Sequence, residues 1–223
     1  MKSTSLPFLS KSRGNFSFET DLYQAGYKTV AGTDEAGRGS LAGPVVAACV
    51  VLPQDCDHSL FEDSKKLTSK KRDQLLQVLK ESDALIGIGF VSERQIEKLN
   101  ILQASLLAMK IAVQKIEKHH SHPDFVLVDG KFEIPHDVAQ LALIKGETKS
   151  ASIAAASIVA KTTRDSYMLK MHEKFPQYGL NSHSGYPTKK HREAIKKFGP
   201  CPHHRATFKG VKEYVSFSKK AGC

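Results

Sequence analysis

Residues 27–37, YKTVAGTDEAG, and 44–52, PVVAACVVL, are nearly continuous apolar runs rich in β-branched side chains, separated only by GRGSLAG. A strand with one wet face alternates apolar and polar residues, whereas an unbroken apolar run belongs inside a sheet covered on both sides. The two runs therefore read as neighbouring central strands joined by a glycine-rich turn. A third run, ALIGIGFVS (84–92), completes a meander. Between the second and third, TSKKRDQLLQVLKE reads as an amphipathic helix with Leu75, Leu76 and Leu79 on its apolar face.

The rest of the chain alternates helices and strands. NILQASLLAMKIAVQKIEKHH (100–120) opens on an Asn cap and carries a broad apolar face suited to lying on the sheet. DFVLVDG (124–130) and QLALIKG (140–146) are short strands ending in glycine, and the Ala-rich stretch 149–175 is a long helix whose small residues permit close packing. Beyond Pro176 the text turns to Tyr, Gly, His, Pro and Lys, with a short helix near 188–198. The expected architecture is α/β, a mixed central sheet flanked by helices. Its expected parts are a flexible arm over residues 1–20, a core over 21–175 and a C-terminal helical appendage over 176–223 packed on that core.

Charge points to the partner. Lys and Arg number 33 against 23 Asp and Glu, a formal charge of +10 and a pI near 9.4, the footprint of a protein that meets nucleic acid. A hydrophobic content of 40% excludes intrinsic disorder. Cys49, Cys56, Cys201 and Cys223 form no CxxC pair, which fits a reducing compartment. With no export signal and no long apolar segment, a cytoplasmic protein without a membrane span is expected.

Against this apolar background the carboxylates stand out. Asp34 and Glu35 are consecutive in a strand, so their side chains leave on opposite faces unless the strand bends or ends there, a freedom that the glycines at 32, 37 and 39 supply. Asp129 closes the apolar FVLVD at the carboxyl end of a strand, where α/β sites are built. Asp165 follows on the long helix. If that helix crosses the strand ends, four carboxylates converge. Converging acids in a dry site raise one another's pKa unless a cation joins them, and oxygen-only ligation selects Mg²⁺ or Mn²⁺. Two such ions are the usual device for hydrolysing a phosphodiester.

GTDEAGRGSLAGPVV, EDSKKLTSKKR, VLVDG, KGETKSASIAAASIVAKTTRD, FPQYGLNSHSGYPT and HHRATF, in this order over about residues 22–211, together resemble bacterial ribonuclease HII, the type 2 ribonuclease H. The resemblance implies a ribonuclease H-like fold and an endonuclease of RNA/DNA hybrids that also cuts at single ribonucleotides in duplex DNA. It implies that Asp34, Glu35, Asp129 and Asp165 bind two catalytic Mn²⁺ or Mg²⁺ ions. It further implies that Gly37, Arg38 and Gly39 read the ribose 2′-hydroxyl while Tyr186 packs on the adjoining deoxyribose. The physics suits these roles, since glycines admit close backbone approach and a planar ring stacks without regard to sequence. Two places depart from the family text: Ser40 stands where proline is usual, and HHRATFKGV is looser than the usual HRRSF.

The basic stretch DSKKLTSKKR enters a helix and suits phosphate contact, with Ser64 and Lys65 as candidates. Lys145, Ser150 and Ser152 are further candidates in KGETKSAS. CPHHR (201–205) looks like half a zinc site without a partner at suitable spacing, and His183 lies near Tyr186 with no role fixed. The expected partners are RNA/DNA hybrid and ribonucleotide-bearing duplex DNA, met by a monomer. Two rivals are a ribonuclease HIII, disfavoured because only about 30 residues precede the acids, and a catalytically silent hybrid binder, disfavoured because all four acids are present.

Overall fold

The structure, a computed structural model, describes residues 14–61, 64, 67–119 and 122–215. Five strands, β1 (Val30–Ala36), β2 (Val45–Val51), β3 (Leu85–Val91), β4 (Phe125–Asp129) and β5 (Ala139–Leu143), form one sheet in the order β3-β2-β1-β4-β5. The first three make the expected antiparallel meander, whereas β4 and β5 run parallel to β1. The sheet is therefore mixed.

The unbroken apolar run of β2 is explained by what covers it. Val45, Ala47 and Cys49 face α4 (Ile101–His119), while Ala48 and Val50 face α2 (Ser69–Glu81) and the long α5 (Ala151–Lys174). Asn100 accepts the N–H groups of Leu102 and Gln103 and so caps α4 as its sequence foretold. A helix absent from the sequence reading, α3 (Glu93–Leu99), follows β3 directly. Its signal was there to be read: Ser92 and Gln95 form a reciprocal capping box.

Gly32 plays a different part from the one expected of it. An added Cβ would lie 2.2 Å from the Ile153 nitrogen, so this glycine lets the α5 backbone rest directly on β1 rather than bending the strand. Gly32→Ala is expected to destabilise the fold by about 3 kcal/mol, the upper end for overpacking because backbone rather than a side chain must yield, lowering Tm by roughly 6–12 °C. Thermal unfolding checks this. An unchanged midpoint would mean that α5 can retreat freely.

The boundary at residue 20 falls inside a helix. α1 (Ser17–Gln24) buries Glu19 and Leu22 completely, and Glu19 accepts hydrogen bonds from the Ser150 hydroxyl and the Ser152 amide at the start of α5. The core thus begins before residue 17, and residues 1–13 of the expected arm lie outside the described residues. At the other end, α6 (Leu180–His183) and α7 (Lys189–Phe198) pack with Met168 and Met171 of α5 and with Leu41 and Ala42 of the glycine-rich turn. The C-terminal part is consequently built into the turn, through an Ala42–His204 bridge and the bond from the Arg205 N–H to the Leu41 carbonyl. Among the described residues no helix is long and apolar enough to cross a membrane.

Candidate active site

Because β1 and β4 are parallel and pair with Thr33 beside Val128, their carboxyl ends reach the same sheet edge, bringing Asp34 and Asp129 side by side. A hollow of about 290 Å³ opens there. Asp34, Glu35 and Asp129 line it together with Ser64, Ser157, Lys161 and Tyr186. Asp34 and Glu35 both line it: β1 stays paired with β2 through Ala36, but its pairing with β4 stops at Thr33, and the chain turns away at Gly37, whose φ is +93°.

Electrostatically this is an unfavourable place for charge. Burial, then the negative charges of Glu35 and Asp129, push the Asp34 carboxyl well above the usual range, with the Ser157 hydroxyl pulling the other way. Burial also raises Glu35, opposed by Arg38, whose Nη1 lies 3.1 Å from Oε1. Asp129 Oδ1 accepts the Gly146 N–H at 2.6 Å. Three of the four expected acids therefore share one hollow. Asp165 lies in an adjoining groove of about 650 Å³ that shares Lys161 and Tyr186 with the first. There it is held 2.7 Å from Lys161 Nζ and 3.7 Å from Arg72 Nη2.

Gly37, Arg38 and Gly39 form the rim of the hollow, with Arg38 and Gly39 exposed. Beneath them lie two guanidiniums, Arg164 and Arg205, both completely buried. Arg164 donates to the carbonyls of Pro44, Ala42 and Ser184, and Arg205 to those of Gly43 and Arg38. A Cβ on Gly37 would stand 2.0 Å from Arg164 Nε, so only glycine fits above it. Among the described residues the buried hydroxyl of Ser40, at the position of departure from the family text, finds no hydrogen-bond partner.

Sequence reading missed both arginines, together with Ser157 and Lys161. A signal existed for the last two: Ser157, Lys161 and Asp165 step by four along α5 and so share one face of the helix. Other expectations are corrected. Ser150 caps α5 by accepting the Ile153 N–H, and both Ser150 and Ser152 are sealed under α1, so neither presents a side chain to a substrate. Lys145 is exposed beside Gly146, in left-handed backbone with φ 57°. Lys65 lies outside the described residues. His183 uses both ring nitrogens within the protein, on the Tyr178 carbonyl and the Gly185 N–H.

A family model described as Ribonuclease HII matches residues 31–211. The chain belongs to the ribonuclease HII family. It is 62% identical over 218 residues to the ribonuclease HII of Desulfotalea psychrophila, covering 97% of each chain. Its structure resembles that of ribonuclease H2 from Pyrococcus horikoshii, with a TM-score of 0.68, 26% identity and coverage of 86% of this chain and 100% of that one. The fold alone is shared with Bst-RNase HIII in complex with Mn²⁺, at a TM-score of 0.69 and 18% identity, over 89% of this chain and 72% of that one. As a ribonuclease HII, the chain is a metal-dependent endoribonuclease of RNA/DNA hybrids with a ribonuclease H-like fold.

The donor set of ribonuclease HII in this chain fits a hard divalent cation. The hollow offers carboxylate and hydroxyl oxygens, with no sulfur or imidazole, and a cation would relieve the repulsion that forces Asp34 towards its neutral form. Among the described residues no three His, Cys, Asp or Glu side chains are already grouped to hold an ion between them. The fit is one of donor chemistry.

Proposed function

We propose that the chain hydrolyses the RNA strand of RNA/DNA hybrids and cuts on the 5′ side of single ribonucleotides in duplex DNA, leaving 3′-hydroxyl and 5′-phosphate ends. The observation that carries this reading is the glycine-rich turn standing on the rim of the same hollow as Asp34, Glu35 and Asp129, with Tyr186 on its wall. A reader of the sugar and a site for phosphate chemistry thereby border one hollow.

Asp34, Glu35, Asp129 and Asp165 would hold two Mn²⁺ or Mg²⁺ ions, which supply activation of the attacking water and stabilise charge on the leaving oxygen. The remaining work belongs to the chain. Lys161 and Arg38 set positive charge beside the acids and draw in the phosphodiester. The turn approaches the ribose closely enough for Arg38 and backbone groups to meet the 2′-hydroxyl, the group that distinguishes RNA from DNA. Holding that hydroxyl also withdraws it as a nucleophile. Tyr186 offers its ring to the next sugar on the 3′ side.

A duplex with one embedded ribonucleotide, incubated with Mn²⁺ or Mg²⁺ and then with a chelator, tests this directly. Cleavage only with the metal, with 3′-hydroxyl and 5′-phosphate ends, is expected. A 2′,3′-cyclic phosphate would sink the mechanism, and binding without cleavage would favour a silent hybrid binder.

A further inference from the structure

Two routes of hydrogen bonds, carried by the buried side chains of His204 and His191 and of Arg205, leave the segment Cys201–Arg205, and each ends on one of the two substrate-reading elements. The first begins at His204. Its Nδ1 accepts the Cys201 N–H at 3.0 Å, so its proton sits on Nε2, 3.1 Å from His191 Nε2. His191 Nδ1 lies 3.0 Å from the Tyr186 carbonyl, which can only accept. These partners set the order of the protons: with His204 Nδ1 accepting from Cys201, whose Sγ also lies 3.2 Å away, His204 donates to His191, and His191 donates to Tyr186. Burial pushes His191 down to about 4 and His204 to about 3, consistent with a chain of two neutral rings.

The second route is Arg205, whose Nη1 donates to the Arg38 carbonyl at 2.9 Å. The peptide joining Arg38 to Gly39 is planar and trans, so drawing its carbonyl inward aims the Gly39 N–H the opposite way. Gly39 is on the rim of the hollow. The fork of Arg205 thus sets the direction of a donor in the turn. A cross-tie completes the arrangement, since the Leu41 N–H donates to the Gly185 carbonyl at 2.8 Å and Arg164 bonds both Ala42 and Ser184.

We infer that residues 201–205 form a bracket fixing the separation between the glycine-rich turn and the Tyr186 ring, making His191, His204 and Arg205 positioning residues for the choice of cut site. This rests on the reading of function given above. Buried polar networks of this kind set geometry more than they add stability, because an apolar core would hold the same elements at lower desolvation cost. What they fix here is the spacing, across one hollow, between a test for ribose and a test for deoxyribose.

The experiment compares kcat/KM on two matched duplexes, one with a single embedded ribonucleotide and one with a continuous RNA strand, with thermal unfolding recorded for every variant. His191→Leu is expected to lower single-ribonucleotide cleavage about tenfold more than continuous-strand cleavage, the low part of the range for a lost stacking contact. In a Tyr186→Ala background the same change should add little, because the ring it positions is gone. His191→Asn, whose amide reaches the Nδ1 position, should keep the wild-type ratio, and His191→Gln, which reaches Nε2 instead, should lose it. Arg205→Lys should depress both substrates in proportion, since both offer the turn a 2′-hydroxyl. If His191→Leu does not fold, the Asn and Gln variants decide, and equal ratios in these two overturn the bracket. Equal losses on both duplexes for His191→Leu, or its additivity with Tyr186→Ala, also overturn it. A wild type that cleaves neither duplex overturns the functional reading, and the bracket with it.

Discussion

Asp34→Asn and Asp129→Asn are each expected to lower cleavage of an RNA/DNA hybrid by more than about a hundredfold, beyond what loss of a residue that merely supports a metal ligand costs. Both acids stand in the hollow at the carboxyl ends of parallel neighbours β1 and β4, and both would donate oxygen to the cations. Hybrid affinity should be nearly unchanged, because the positive surface that meets phosphate is untouched. Stability separates this outcome from misfolding. Asp34 is buried among like charges that push its carboxyl towards the neutral form, so a neutral amide of the same shape should raise Tm when both proteins are measured with chelator present. Loss of turnover with a higher Tm identifies a site that tolerates strain for chemistry. Near-normal turnover at saturating Mg²⁺ would remove Asp34 or Asp129 from the set of metal ligands.

Tyr186→Ala should cut single-ribonucleotide cleavage by roughly tenfold to a hundredfold, from about 1–3 kcal/mol of lost stacking realised in the transition state. Cleavage within continuous RNA should fall much less, since only the junction gives the ring a deoxyribose on the 3′ side. The ring has a prepared seat: Lys161 Nζ lies 5.4 Å and the Arg164 guanidinium carbon 5.5 Å from its centroid. The readout is the ratio of kcat/KM values on the two duplexes. Equal losses would assign Tyr186 to general packing and place junction selection elsewhere.

The strands were legible because β1, β2 and β4 are buried on both faces, a condition that leaves short, nearly continuous apolar runs whose β-branched residues favour strand over helix. The acids were legible for the converse reason, charge where burial disfavours it. What escaped was whatever depended on distant partners. Arg164 and Arg205 drew no role from the sequence, because nothing local says that their N–H groups meet carbonyls more than a hundred residues away. Ser150 and Ser152 read as polar residues open to a substrate until α1, itself short and weakly patterned, laid Glu19 over them. The place of Asp165 in the adjoining groove is partly of the same kind, since its Lys161 partner is one turn away on α5 but Arg72 comes from α2.

The dependence of the turn on Arg205 has a consequence for the order of synthesis. A growing chain makes Asp34, Glu35, Asp129 and Asp165 before it makes the arginine that orients the Arg38–Gly39 peptide. At about 5–20 residues per second, the acids precede it by several seconds on the ribosome. During that interval the nascent polypeptide carries the four carboxylates without the guanidinium that holds the Arg38 carbonyl, and that bond forms only once residue 205 has cleared the exit tunnel. Translation thus supplies this support of the turn last, so a chain stopped before residue 205 carries the four acids and the turn itself but leaves the Arg38 carbonyl without its guanidinium donor.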